Sequence, residues 1–260
     1  MIFVNGEKIE QEHFSAGELK IKLTPVNDNT NITIMWKYES DAEYFTVACI
    51  RGFYQKNPCY LAMPYLPHAR MDRVKNPEDV FTLKMFCNHI NALCFQRVTV
   101  WDAHSNVGVA LLDRVYNLSP KPFIEDVLMN YSKENLALFF PDEGAQKRYG
   151  EMFPNIPQAF GIKKRNWETM KIEGLDIIGV ENIKGKRVII IDDICSYGNT
   201  FVRAAEALHA AGAEEINLYI THCEDAISKG NVFTCGLIKR VFTTNSLVRS
   251  AETEEKLSHV

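Results

Sequence analysis

Apolar residues in this 260-residue chain fall in short blocks separated by polar turns, and the most regular blocks lie in its last third. Val188 to Ile191 is an aliphatic run after the turn signal Lys184-Gly-Lys186, which predicts a buried strand over 187–191. A loop is expected from Asp192 to Thr200. Residues 201–211, rich in Ala, Glu and Leu, then read as a helix that Gly212 stops just past its end. Ile-Asn-Leu-Tyr-Ile over 216–220 is the next strand. Strand, loop, helix and strand make a βαβ unit, which requires a parallel sheet covered on both faces.

The first half repeats that grammar more loosely. Residues 60–63 form a short strand pattern, 80–95 a helical one, and 97–101 a strand ending in Asp102. Residues 138–140, running into Pro141-Asp142, begin a second strand-and-loop series. The two prolines in Asn117-Leu-Ser-Pro-Lys-Pro122 predict a hinge or connector, and a domain boundary near 122. The expected fold class is α/β in two halves, residues 1–122 and 123–260.

Composition narrows the partners. Lys plus Arg total 29 against 33 Asp plus Glu, a formal net charge of −4, so no global basic field exists for nucleic acid. The longest aliphatic runs are four residues, against the roughly 20 apolar residues that span a bilayer, so no membrane segment is expected. The N-terminal MIFVNGEKIEQEH has no basic region followed by an apolar core, which argues against a signal peptide. Seven cysteines, an odd number with no CxxC pair, point to reduced thiols in a cytoplasmic protein rather than to a zinc ribbon or a disulfide framework.

The most informative stretch is Ile191-Asp-Asp-Ile-Cys-Ser-Tyr-Gly-Asn-Thr200. Two acids at the carboxyl end of a parallel strand sit where open α/β sheets bind ligands. The loop then opens a helix, whose unpaired amides and positive dipole end suit a phosphate. Carboxylates that accept hydrogen bonds from a cis-diol, beside such a cradle, suit a sugar phosphate. From spacing alone, Asp192 and Asp193 would equally well end a strand and help cap the helix. A Walker P-loop is not supported, because Gly174-Leu-Asp-Ile-Ile-Gly179 is followed by Val-Glu.

This loop resembles the sugar-phosphate loop of type I phosphoribosyltransferases and of the ribose-phosphate diphosphokinases (PRPP synthetases). Five more segments resemble the diphosphokinases. Pro64-Tyr-Leu-Pro-His-Ala-Arg-Met-Asp-Arg73 is similar to their ATP segment, with Arg70, Asp72 and Arg73 at matching positions and Met71 where glutamine is usual. Guanidinium groups there would fork onto phosphate oxygens and stack on adenine. Thr99-Val-Trp-Asp-Ala-His104 is similar to the strand end that carries a metal-site histidine, and strand alternation would aim Asp102 and His104 to one side. Asp142 in Phe140-Pro-Asp-Glu-Gly144 matches a second metal or phosphate position. Gly161-Ile-Lys-Lys-Arg-Asn166 resembles the catalytic flexible loop, with Lys163 and Arg165 at its cationic positions. Phe14-Ser-Ala-Gly-Glu18 resembles a segment that reaches a neighbouring subunit's adenine site, with Phe14 and Glu18 matching and Ala16 in place of an acid.

The resemblance implies two phosphoribosyltransferase-like α/β domains, each with a mainly parallel central sheet flanked by helices, in a homo-oligomer. It implies Mg2+-dependent transfer of the diphosphoryl group of ATP to the C1 hydroxyl of ribose 5-phosphate, giving PRPP and AMP. Asp192 and Asp193 would orient the ribose, and Ser196, Tyr197, Gly198, Asn199 and Thr200 would hold the 5-phosphate. Mg2+ and ATP would be held through His104 and Asp142, with Arg70 and Arg73 binding the nucleotide and Lys163 and Arg165 acting on the transition state. The chain departs from the family at Ser196, where an aspartate is usual, and at Tyr197 and Asn199, which are bulkier than usual. The family's first helix is nearly absent between Val4 and Phe14. These departures allow a larger acceptor such as ADP-ribose, for which Tyr197 offers a stacking face. A phosphoribosyltransferase and a non-catalytic regulatory relative are the remaining readings.

Overall fold

A computed structural model describes residues 1–165 and 172–260. The chain forms two compact units, Met1–Ser119 and Pro120–Val260. The first contains β1 (Ile2–Val4), β2 (Glu7–Lys8), β3 (Glu12–His13), β4 (Leu19–Lys20), β5 (Ile32–Trp36), α1 (Glu43–Phe53), β6 (Cys59–Met63), α2 (Thr82–Ala92), β7 (Arg97–Trp101), α3 (Asn106–Leu111) and β8 (Val115–Leu118). Its sheet runs β2-β1-β5-β6-β7-β8, parallel from β5 to β8, with β1 antiparallel to its neighbours. The alternating residues Ile32, Ile34 and Trp36 are fully buried, and they pack in one core with Val47 and Ile50 of α1 and Leu83 and Phe86 of α2.

The second unit contains α4 (Lys121–Leu128), β9 (Leu136–Phe140), α5 (Glu143–Tyr149), β10 (Gln158–Arg165), β11 (Ile172–Ile178), β12 (Arg187–Cys195), α6 (Asn199–Ala210), β13 (Glu215–Cys223), β14 (Ile238–Thr243), α7 (Ala251–Glu254) and β15 (Ser258–His259). The sheet order is β11-β10-β9-β12-β13-β14-β15, parallel apart from the antiparallel β10–β11 pair. Val188 and Ile190 enter the core under α6, while Ile189 and Ile191 enter the one under α4 and α5. Burial on both faces is why this strand reads as a continuous aliphatic run. Among the described residues no helix is long and apolar enough to cross a membrane.

Four expectations need correction. The strand expected to stop at Ile191 continues through Asp192 and Asp193 to Cys195, because β13 offers it a partner as far as Cys195↔Cys223. The loop that follows is therefore only residues 196–198, and Asn199 and Thr200 already belong to α6. Lys121 and Pro122 are not a connector; they open α4, where proline's fixed φ suits the first turn. Strand alternation cannot aim Asp102 and His104 together, since β7 ends at Trp101 and Asp102 turns with φ +40°.

The β9–β12 centre of this sheet sets the unit's stability. Phe139→Ala removes a fully buried ring from β9 and is expected to cost about 3–5 kcal/mol. Denaturant unfolding of the variant against the wild-type chain measures this.

Candidate functional site

The topology of the second unit marks where a ligand fits. From β9 the chain passes through α5 to β10 on one side, and from β12 through α6 to β13 on the other. The connections leave in opposite directions between β9 and β12, and the crevice at the carboxyl ends of two such strands is the usual binding place in an open parallel sheet. Asp142 follows β9, and Asp192 and Asp193 lie near the end of β12. The sheet thus gathers three carboxylates at this edge.

Their environments differ. Asp193 continues the side of β12 that carries Ile189 and Ile191, is 3% exposed, and its Oδ2 pairs with Arg148 Nη1 of α5 at 3.1 Å. Asp192 is half-buried, and its Oδ1 accepts from the Asp193 amide at 2.9 Å. Burial pushes the Asp192 carboxyl well above the usual carboxylate range, and the charges of Asp193 and Asp142 push it further. Asp142 caps α5, its Oδ1 accepting from the Ala145 amide at 3.1 Å. The pair expected to hold one diol together is therefore divided, with Asp193 tied to Arg148. The sequence reading missed Arg148 because nothing local links it to β12.

Beyond Cys195, Gly198 sits at the N-cap of α6 with φ +77°, and its carbonyl accepts from the amides of Phe201 and Val202 at 3.0 and 3.1 Å. The first amides of any helix lack intrahelical partners, so this twelve-residue helix offers donors and a positive dipole end at the same edge. Ser196 is half-buried, and Tyr197 is 53% exposed. The Cys195 thiol is held far above its ordinary range by a hydrogen bond with the Cys223 thiol and by burial, so it is not a nucleophile here.

The first unit gathers a second set. Tyr65, Leu66 and Ala69 are buried, which fixes the 64–73 stretch against the core instead of leaving it as a surface loop. His68 turns with φ +62°, and its Nε2 lies 2.9 Å from Asp41 Oδ1. Asp72 is buried and receives a fork from Arg73, Nε to Oδ1 at 2.8 Å and Nη2 to Oδ2 at 3.1 Å. Hydrogen bonding from Arg73, with the nearby Ser105 hydroxyl and the charges of Arg73 and His104, outweighs burial and holds the Asp72 carboxyl below its ordinary value. Asp72 thus links the segment after β6 to the one after β7. Arg70, Met71 and Arg73 face solvent.

Phe14 and Glu18 sit at the tip of the β3–β4 hairpin, joined by a Phe14 N–H to Glu18 carbonyl bond of 2.9 Å, with Phe14 57% exposed. Lys163 and Arg165 lie on β10, opposite Leu175 and Ile172 of β11, rather than in a loop; Asn166 lies outside the described residues. His104 belongs to the first unit and Asp142 to the second. Among the described residues, no group of three or more His, Cys, Asp and Glu side chains is arranged to hold a metal ion.

Residues 156–242 match the phosphoribosyl transferase domain. The ribose-phosphate pyrophosphokinase of Hyphomonas neptunium is 31% identical over 164 residues, 62% of this chain and 52% of that protein. The ribose-phosphate pyrophosphokinase of Thermococcus kodakarensis is 25% identical over 245 residues, 90% of this chain and 81% of that protein. The crystal structure of phosphoribosylpyrophosphate synthetase from Mycobacterium smegmatis superposes with a TM-score of 0.80 at 17% identity, covering 97% of this chain and 85% of that one, and so shares the fold. The chain spans 52% of the Hyphomonas relative and 62% of a chloroplastic relative from Arabidopsis thaliana.

Asp192 makes stability depend on pH. Its folded value is raised, so its contribution is fully present below the ordinary aspartate value of about 3.9 and is lost as pH rises through the folded value. Asp192→Asn removes that loss. Its melting temperature should match the wild type near pH 4 and exceed it increasingly toward pH 8; parallel melting curves across that range would contradict the raised carboxyl. The sheet topology, the edge acids and these relatives point the same way: over most of its length the chain is similar to ribose-phosphate pyrophosphokinases.

Proposed function

We propose that the chain is an enzyme that transfers the diphosphoryl group of ATP to the C1 hydroxyl of a ribose 5-phosphate moiety, giving PRPP and AMP. The hydroxyl oxygen forms a bond to the β-phosphorus, and the bond from that phosphorus to the oxygen bridging the α-phosphate breaks. The observation that carries this reading is the β9–β12 crevice, where Asp192 and the α6 N-terminus stand at one edge. A ribose diol donates to carboxylate oxygens while helix amides receive the 5-phosphate. Arg148 holds Asp193 in place and leaves Asp192 as the acid better suited to the diol.

Magnesium fits the donor set. Burial, and then the charges of Asp193 and Asp142, raise the Asp192 carboxyl, and a divalent cation arriving with the nucleotide would offset the repulsion among the three acids. Mg2+ usually keeps few protein ligands and binds through substrate phosphates, so a carboxylate such as Asp142 at this edge would serve without a dedicated cage. Bound there, it would neutralise charge on the phosphate oxygens. Asp72 holds Arg73 by its fork, and Arg70 and Arg73 supply the cations for ATP. Phe14 and Glu18, on the exposed hairpin, would complete the adenine site of a neighbouring copy.

An acceptor with a larger group on its 5-position, such as ADP-ribose, is the second reading, favoured by the exposed Tyr197 ring beside the helix N-terminus. Purified protein supplied with ATP and either ribose 5-phosphate or ADP-ribose separates the two by AMP release. The first reading expects the faster rate with ribose 5-phosphate, and the reverse preference establishes the second. No AMP with either sugar supports a non-catalytic relative.

Diphosphoryl transfer is catalysed mainly by positioning and by cations placed where charge develops. Lys163→Ala is therefore expected to lower turnover about 100-fold or more while KM values change much less. Steady-state kinetics measure the split, and unchanged turnover removes Lys163 from the mechanism.

A further inference from the structure

The tightest backbone approach at any glycine of the described chain lies beneath the loop that follows β12. A Cβ added to Gly230 would stand 1.9 Å from the Tyr197 carbonyl oxygen and 2.9 Å from its carbonyl carbon. Gly230 has φ −96° and ψ −169°, an extended backbone that any residue adopts, so space and not conformation requires glycine here. One step along, a Cβ on Gly198 would stand 2.1 Å from Val232 Cγ2, and Val232 is almost fully buried. Two neighbouring residues of the 196–198 loop thus rest on residues 230 and 232.

The supporting segment is itself anchored. It leaves the end of β13, where the Glu224 amide donates to the Cys195 carbonyl at 2.9 Å. Asp225 Oδ1 accepts from the amides of Arg249 and Ser250 at 3.1 and 3.0 Å, and Ser228 Oγ and Thr253 Oγ1 lie 2.8 Å apart. These bonds tie the segment to the start of α7. Because the Tyr197 ring is more exposed than buried, its backbone seat on Gly230 does more than ring packing to set where it stands.

We propose that residues 230–232 clamp the 196–198 loop, and that Gly230 is a positioning residue for the acceptor end of the site. This rests on the function proposed above. The clamp holds the Tyr197 carbonyl and Gly198 in register, and through them the α6 N-terminus that would meet the acceptor's phosphate. A methyl group at Gly230 meets backbone atoms, which cannot rotate away, so the loop has to lift.

The test uses the full chain with Gly230→Ala, and Gly52→Ala as a control whose added Cβ meets nothing within 4 Å. Hydrogen exchange is followed in peptides spanning 195–202, and KM is measured separately for ribose 5-phosphate and for ATP. Gly230→Ala should speed exchange in 195–202 alone. It should also raise KM for ribose 5-phosphate about 10- to 100-fold, with KM for ATP unchanged and Gly52→Ala like the wild type. Wild-type exchange in 195–202, faster exchange across the whole second unit, or equal rises in both KM values each overturns the positioning role. If Gly230→Ala does not fold, Val232→Ala removes the methyl groups under Gly198 and should give the same local acceleration in smaller measure. A wild-type chain that releases no AMP overturns the proposed function and not the clamp, which the exchange measurement then decides by itself.

Discussion

Burial of β12 on both faces, between two parallel neighbours, is the constraint on which the second unit depends. A strand in that position must be apolar along its length, and Val188 to Ile191 satisfy both cores at once. Its hydrogen-bonding partners then dictate where it stops. Because β13 continues beside it to Cys223, β12 carries two carboxylates inside the sheet edge instead of out on a loop. The charge that burial there would isolate is met differently at each acid. Arg148 balances Asp193, and Asp192 is left with a strong tendency to hold its proton. A structural requirement thus produces the chemical asymmetry at the site.

The first unit solves a similar problem with a single carboxylate. Asp72 is buried, yet its carboxyl stays below the ordinary value, because hydrogen bonds and positive neighbours outweigh the cost of removing it from water. The segments after β6 and β7 meet at that group. Arg73, held at its fork by Asp72, keeps the rest of its side chain toward solvent. The formal net charge of −4 gives no hint of this arrangement. Net charge does not register which cations the fold fixes beside a buried acid, and Arg73 is one of them.

Much of the fold was legible in the sequence. The 187–191 run, the 201–211 helix and the Gly212 stop each follow from local pattern, and Gly212 indeed turns with φ +88° after α6. The residue types at that strand end were legible too, as two acids and a glycine-containing loop after an aliphatic run. The misreadings occurred where a residue's state depends on a distant partner. Asp192 and Asp193 looked like loop residues because acids usually interrupt strands, and only pairing with β13 keeps them extended. Pro122 looked like a linker because a proline pair usually marks one, and only the packing of α4 shows that it begins a helix.

The sequence by itself determined the periods, the turns, and the residue types delivered to the carboxyl ends of the strands, since these depend on near neighbours along the chain. The tertiary structure alone decided which of those residues share an environment. Arg148 meets Asp193, Ser105 and His104 meet Asp72, and the Tyr197 carbonyl rests on Gly230. Each of these depends on which elements lie side by side in the folded unit. That is set by simultaneous burial of many apolar faces and the pairing of many backbone groups, a global balance that no short stretch of sequence carries.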